Sequence, residues 1–286
     1  MRTIFLGLAA LLSTIPQARA ETILFVGNSF TFGANTPVRV LNADRVTDLN
    51  NERIGGVPGL FKRFTEQAGL DWQVSLETSG GKTLGWHLTE RRAVIDRAWD
   101  HVVLQEYSTL DPARPGDGAA TIADAGRIAE LLRARNPNVA ITMTATWTRP
   151  DLVFLPDRRW SGTPVERMAN DVRRVIDTAA RRAKADVAPV GQAFTCAIRD
   201  GVADANPYDG IDYTRVPLWS YDHYHASSYG YYLEALVVFA RVTGVDPLTL
   251  GGREAAAGEL GFSEAETVAL QRSAHDAIVT NGGCGR

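Results

Sequence analysis

Five short apolar runs punctuate this chain, and between them apolar residues return at helical spacing. Residues 22–26, 72–76, 101–105, 139–145 and 186–190 are rich in Val, Ile and Leu and mostly apolar on both faces. That is the composition of strands covered on both sides in a parallel sheet. The stretches between them read as helices. Residues 57–68 stop at Gly69, a residue suited to a helix C-terminus. Residues 84–98 follow, and 118–135 end before Asn136-Pro137, where proline disfavours helix in the residue before it. Thr163-Pro164-Val165-Glu166 has the form of a capping box with proline at the first helical position. Val165, Met168, Val172, Val175, Ile176 and Ala179 then recur on one helical face. Residues 229–242 and 263–280 are expected to form the last two helices.

Strand and helix in alternation predict an α/β fold with right-handed crossovers, a three-layer sandwich around a mainly parallel five-stranded sheet. Ligands in such folds sit at the carboxyl ends of the strands. Ser29 falls just past the first strand, Gly80-Gly81 past the second, Glu106 to Ser108 past the third and Thr146-Trp147 past the fourth. These four stretches are expected to converge on one rim. Two irregular stretches, 33–56 and 200–221, are long enough to serve binding or act as lids. No linker or internal repeat divides residues 21–286, so one domain is expected.

Residues 1–20 have the three parts of an export signal in order: Arg2, the apolar stretch 4–12, and Ala18-Arg19-Ala20 before Glu21. The apolar stretch is too short to span a bilayer. A secreted or periplasmic protein, cleaved after Ala20 and not inserted in a membrane, is the expectation. Export makes a disulfide between the two cysteines, Cys196 and Cys284, possible, and two free thiols are the alternative. The net charge of −3 and the absence of basic runs interleaved with aromatics argue against a nucleic-acid partner.

The chemistry-bearing residues stand at the two ends. Ser29 follows the first apolar run, and Asp222-His223-Tyr224-His225 stands near the C-terminus. A serine hydroxyl is a poor nucleophile until a base takes its proton. His225 is the candidate base, and Asp222, three residues earlier, is placed to hold its tautomer. Ser29 as a helix cap and His225 as a structural histidine are the bland alternatives. His223 is the competing histidine, and Asp222, His223 and His225 together form a possible Zn²⁺ ligand set. His87, His101 and His275 read as ordinary, partly exposed histidines.

Gly27-Asn28-Ser29 resembles the first conserved block of the SGNH hydrolases, the GDSL esterase/lipase superfamily. Asp222-x-x-His225 followed by Ser227 and Gly230 resembles the last. The resemblance implies the flavodoxin-like fold of that family, a catalytic triad of Ser29, Asp222 and His225, and no cofactor or metal. It also implies an oxyanion hole built from the Ser29 and Gly81 backbone N–H groups and a third donor from an asparagine. This chain departs from the family there. Val102-Val103-Leu104-Gln105-Glu106-Tyr107-Ser108 carries no asparagine, so Gln105 is the expected substitute, as in a subgroup with Leu-Gln-Glu at this place. Asn28, Glu106, Tyr107 and Trp147 are the candidates for substrate contact. Trp86, Trp219 and Tyr221 also flank the rim. The reading is a serine esterase acting on a small-molecule or glycan ester, with O-deacetylation of a carbohydrate as its role. A lipase or lysophospholipase, and a carbohydrate-binding protein that keeps the fold without the activity, are the alternatives.

Overall fold

The computed structural model describes residues 19–285, and the expected leader lies outside them but for its last two residues. Strands β1 (Glu21–Gly27), β2 (Thr47–Asp48), β3 (Trp72–Thr78), β4 (His101–Gln105), β5 (Ala140–Thr144) and β6 (Asp186–Ala188) form one sheet. Their order is β2-β3-β1-β4-β5-β6 and every pairing is parallel. The expectation of five strands is corrected to six. The extra strand, β2, is a two-residue edge strand inside the stretch read as irregular, and two residues carry no periodicity.

The helices among the described residues are α1 (Gly56–Gln67), α2 (Leu84–Glu90), α3 (Arg92–Ile95), α4 (Ala119–Arg135), α5 (Pro150–Val153), α6 (Glu166–Ala183), α7 (Val190–Arg199), α8 (Ser228–Thr243), α9 (Ala255–Glu259) and α10 (Glu264–Val279). They cover the sheet on both faces, which is why its strands are apolar on both. On β1, Ile23 and Phe25 join Phe61, Phe64, Phe194 and Phe239 in one core, whereas Leu24 and Val26 join Ile128, Met168, Val172 and Ile176 in the other. Burying each of these side chains contributes roughly 1.5–3 kcal/mol.

Three helical expectations change. The helix expected over 84–98 is two helices with a break at Arg91, whose guanidinium donates to the buried Glu77 carboxylate at 3.0 Å and to Asn50. The expected capping box does not form: Thr163 Oγ1 donates back to Trp160 O at 2.7 Å, and α6 starts at Glu166 without a side-chain cap. The strand expected to reach Val190 ends at Ala188, and Val190 opens α7, a helix absent from the pattern reading. Pro189 has no N–H to continue the ladder, and α7 buries most of its length against the core. On α7, Cys196 is bonded to Cys284, 88 residues away, which resolves the disulfide alternative.

From β1 the chain builds β2 and β3 on one side of the sheet, then returns to place β4, β5 and β6 on the other. The connections therefore diverge around β1, and a crevice opens at its carboxyl end. Ser29 lies there.

Candidate active site

β1 ends at Gly27, where nothing larger fits: a Cβ there would collide with Thr31 Oγ1 and the Gln105 side chain. The chain then turns tightly, with Thr31 N and Phe32 N both donating to Asn28 O, at 3.0 and 3.1 Å, and Ser29 stands at the turn. Tyr231 on α8 donates its hydroxyl to Ser29 O at 3.1 Å and fixes the backbone under the nucleophile.

His225 arrives from the other end of the chain. Ser227 caps α8 by accepting from Gly230 N, and the segment before it folds back, with Trp219 and Ala226 in an antiparallel bridge. Asp222 Oδ1 accepts from Ser220 Oγ at 2.8 Å, Tyr224 N at 3.0 Å and His225 N at 2.9 Å, a local turn made by the side chain itself. Its other oxygen, Oδ2, lies 2.6 Å from His225 Nδ1, and His225 Nε2 lies 2.9 Å from Ser29 Oγ. An ionised Asp222 fixes Nδ1 as the protonated nitrogen and leaves Nε2 free to accept the serine proton. Burial raises the Asp222 carboxyl, but hydrogen bonds from His225, Ser220 and Tyr224 outweigh it and hold it down at about 2.

Two residues join this chain without having been singled out. Asn35 Nδ2 donates to Asp222 Oδ2 at 2.7 Å and lies 3.4 Å from His225 Nδ1. Arg149 lies 3.7 Å over the Tyr224 ring, which itself lies 4.1 Å from the His225 ring. Asp151 accepts from Arg149 Nε and Nη2 at 3.0 and 2.6 Å, so the cation is neutralised where it stands.

Several expected substrate contacts are instead structural. Gln105 Oε1 accepts from Asn28 N at 2.9 Å and from Thr31 Oγ1 at 3.0 Å, and its Nε2 donates to Glu106 O. A backbone N–H can only donate, so the Gln105 oxygen must face Asn28, and its NH₂ is turned away from any oxyanion. Gln105 is thus a brace between β4 and the nucleophile turn. Asn28 is buried, with Nδ2 donating to Lys82 O at 3.0 Å and Oδ1 accepting from Phe30 N at 3.2 Å. Trp147 is fully buried, stacked on Phe30 at 4.0 Å and on Phe194 at 5.2 Å, so it is a core residue. Trp219 is buried as well, its indole N–H on Thr148 O at 2.9 Å. Gly81 is exposed, at φ 69°, with open space around it and its N–H uncommitted to backbone. Tyr107 is half-buried beside Glu106.

Glu106 is buried and accepts from Leu84 N at 3.2 Å and Tyr107 N at 2.6 Å, so it holds the loop after β3 to the loop after β4 rather than facing a ligand. Burial pushes its carboxyl up to about 7, against those two hydrogen bonds. The folded value lies above the unfolded value of about 4.3, so the fold favours the protonated form. That contribution is complete below about pH 4.3, is lost as pH rises through about 7, and amounts to roughly 4 kcal/mol. Unfolding followed from pH 5 to pH 8 is expected to show falling stability in the wild type and a flatter profile in Glu106→Gln. Parallel profiles would contradict this.

His223 does not join the site: its ring packs against Tyr208 at 4.3 Å. Among the described residues no group of three or more His, Cys, Asp and Glu side chains is arranged to hold a metal ion. His87, read as partly exposed, is fully buried and paired with Glu77.

No family profile and no curated protein matches the sequence. Solved structures do. A protein from Slackia heliotrinireducens described as a candidate SGNH hydrolase is 22% identical, with 78% of this chain and 99% of that one covered at a TM-score of 0.52. A DUF4886 family protein from Bacteroides uniformis is 15% identical over 93% of this chain and 98% of that one, at 0.57. A candidate GDSL-like lipase from Parabacteroides merdae is 18% identical over 80% and 99%, at 0.56. The chain has the fold of the SGNH hydrolases.

Proposed function

We propose that this protein is an exported serine esterase that hydrolyses carboxylic esters through an acyl-Ser29 intermediate, with O-acetyl groups on a carbohydrate as its substrates. The observation that carries the reading is the unbroken line from Ser29 Oγ through the His225 ring to Asp222, at 2.9 and 2.6 Å. Ser29 Oγ attacks the ester carbonyl while His225 Nε2 takes its proton. The imidazolium so formed is balanced by Asp222. The C–O bond to the alcohol breaks as Nε2 returns the proton to the leaving oxygen. Water then repeats the sequence on the acyl-enzyme and releases the acid and free Ser29. The Ser29 and Gly81 N–H groups are the oxyanion donors of this scheme. Gln105 takes no part, so the hole has one donor fewer than the family pattern, a difference of about 3 kcal/mol unless another group supplies it. Export fits the Cys196–Cys284 bond, which persists in oxidising compartments. An ester hydrolase also agrees with the description of the Parabacteroides structure as a candidate GDSL-like lipase.

The test is release of p-nitrophenol from p-nitrophenyl acetate, with mass spectrometry after a serine-reactive fluorophosphonate. Turnover with the label on Ser29 is expected. Neither turnover nor label would favour a carbohydrate-binding protein, and turnover that survives Ser29→Ala but not EDTA would favour a metal-dependent hydrolase. Exposed Phe154, Tyr208, Ile211, Tyr213 and Tyr221, from segments adjoining Asp222, favour a second reading with longer acyl chains of the lipase type. Rates on p-nitrophenyl esters of increasing chain length separate the two readings.

A further inference from the structure

We infer that Asn35 is a positioning residue of the Ser29–His225–Asp222 site, a clamp that fastens the Asp222–His225 turn to the turn carrying the nucleophile. The inference deepens the serine-esterase reading above and rests on it for the reaction, though not for the clamp.

Asn35 stands where the nucleophile turn ends. Ser29 O accepts from Ala34 N at 3.2 Å, so the backbone of the nucleophile also holds the residue before Asn35. The loop around it is pinned to the start of α1 on both sides: Val57 N donates to Thr31 O at 2.9 Å and Gly55 N to Arg39 O at 2.8 Å. Between these points Val38 is fully buried. Asn35 itself is left-handed, at φ 64°, a conformation that Asn adopts at less cost than most residues with a side chain. The loop therefore presents the amide from a held position.

Asp222 Oδ1 is occupied within its own turn by Ser220 Oγ, Tyr224 N and His225 N. Its Oδ2 is shared between His225 Nδ1 at 2.6 Å and Asn35 Nδ2 at 2.7 Å. An ionised carboxylate only accepts, so the Asn35 amide must face it with its NH₂. Among the described residues, Ser29 and Asn35 are the two side chains of residues 28–36 that hydrogen-bond residues 220–225. The other ties of that segment run to the chain after β5, from Trp147 Nε1 to Tyr224 O at 3.3 Å and from Asp151 N to His223 O at 3.2 Å. Phe30 meets the Tyr224 and His225 rings at 5.5 and 5.6 Å, but apolar contact is non-directional. The contacts close a ring: Ser29 Oγ to His225, His225 to Asp222, Asp222 to Asn35, and Asn35 back along the backbone to Ser29. Asp222 and His225 hold each other within one turn. Loss of the Asn35 amide would leave that pair intact, loosen it against Ser29 and leave Oδ2 to His225 alone.

The experiment is a double-mutant cycle of Asn35→Gly and Asp222→Ala on the whole protein, read by kcat and KM on p-nitrophenyl acetate and by proton NMR of the His225 Nδ1–H. Asn35 is exposed and its φ suits glycine, so Asn35→Gly removes the amide without strain. A misplacement of about 1 Å can cost ~10²-fold in rate, and a turn still held from its other side is expected to lose about 10-fold in kcat, with KM within about 2-fold. In the Asp222→Ala background the same change is expected to cost less than about 2-fold, since Asn35 acts through Asp222. The His225 proton, identified by its loss in Asp222→Ala, is expected to move downfield in Asn35→Gly, while the His87–Glu77 and His275–Asp246 pairs stay unchanged as references. If Asn35→Gly does not fold, the Asn35 side-chain NH₂ resonances decide the matter: they are expected to move in Asp222→Ala, and unmoved resonances would overturn the inference. A kcat for Asn35→Gly within about 2-fold of wild type would overturn it too, as would an equal loss with and without Asp222, which would mean that glycine only loosens the loop. Either of these results with turnover at Ser29 leaves the esterase standing. A downfield shift in Asn35→Gly of a protein without ester turnover would uphold the clamp and remove the esterase.

Discussion

Ser29→Ala and His225→Ala are each expected to lower kcat on p-nitrophenyl acetate by about 10⁴- to 10⁶-fold, and the double variant is expected to lose no more than the worse single one. The two side chains act as one unit. Without Nε2 at 2.9 Å the hydroxyl keeps its proton, and without the hydroxyl the base has nothing to activate. Asp222→Ala is expected to retain more activity than either, because its role is to hold the ring and its tautomer, whereas Ser29 and His225 exchange the proton themselves. His223→Ala is expected to stay within a few-fold of wild type, since its ring packs on Tyr208 instead of facing Ser29. Steady-state rates normalised by the concentration of folded protein check all five variants. A dead His223→Ala beside an active His225→Ala would exchange the two histidines and dismantle the proposed mechanism.

The legible part of the fold was the part governed by burial on both faces of a sheet. β1 shows why: Ile23 and Phe25 enter one core and Leu24 and Val26 the other, so every residue of the run had to be apolar. Where tertiary contacts decide, pattern failed. The break between α2 and α3 comes with Arg91's reach to Glu77, and β2 exists only by pairing with β3. The site divides in the same way. Asp222 and His225 share one local turn and could be read together. Asn35 meets Asp222 across 187 residues and carried no signal beyond lying in a long irregular stretch. Gln105 and Asn28 were read with the wrong sense, because position along the chain does not say which way a side chain's polar atoms face, and Trp147 was read as a substrate contact although it is buried between Phe30 and Phe194. For Gln105 the deciding fact is the Asn28 N–H opposite it, a backbone donor that only an acceptor can answer.

Reduction of the Cys196–Cys284 bond is expected to lower the unfolding free energy by about 4 kcal/mol. The bond closes a loop of 88 residues, and loop-closure entropy places a span of that length between the roughly 3 kcal/mol of a 15-residue loop and the 4.7 kcal/mol of a 100-residue one. The effect acts mainly on the unfolded chain, because other contacts already hold the tail in the fold. Gly285 O accepts from Arg199 Nη2 at 2.5 Å and Asn281 Oδ1 from Arg173 Nη2 at 3.1 Å. Cys284→Ser is the cleaner variant, since Cys284 is partly exposed, whereas Cys196 is fully buried among apolar side chains. Urea unfolding with and without reductant is expected to show a lower midpoint and a larger m for the open chain, whose unfolded state exposes more surface. Coincident curves would mean that the two thiols are not joined in solution. Activity gives a separate reading. Phe194 on α7 stacks on Trp147, Trp147 stacks on Phe30, and Phe30 follows Ser29, so α7 supports the nucleophile turn through three rings. If the bond only restricts the unfolded chain, the reduced protein keeps its kcat while its midpoint falls. A kcat that falls with reduction under conditions where the protein stays folded would instead show that the bond holds α7, and through it Ser29, in place.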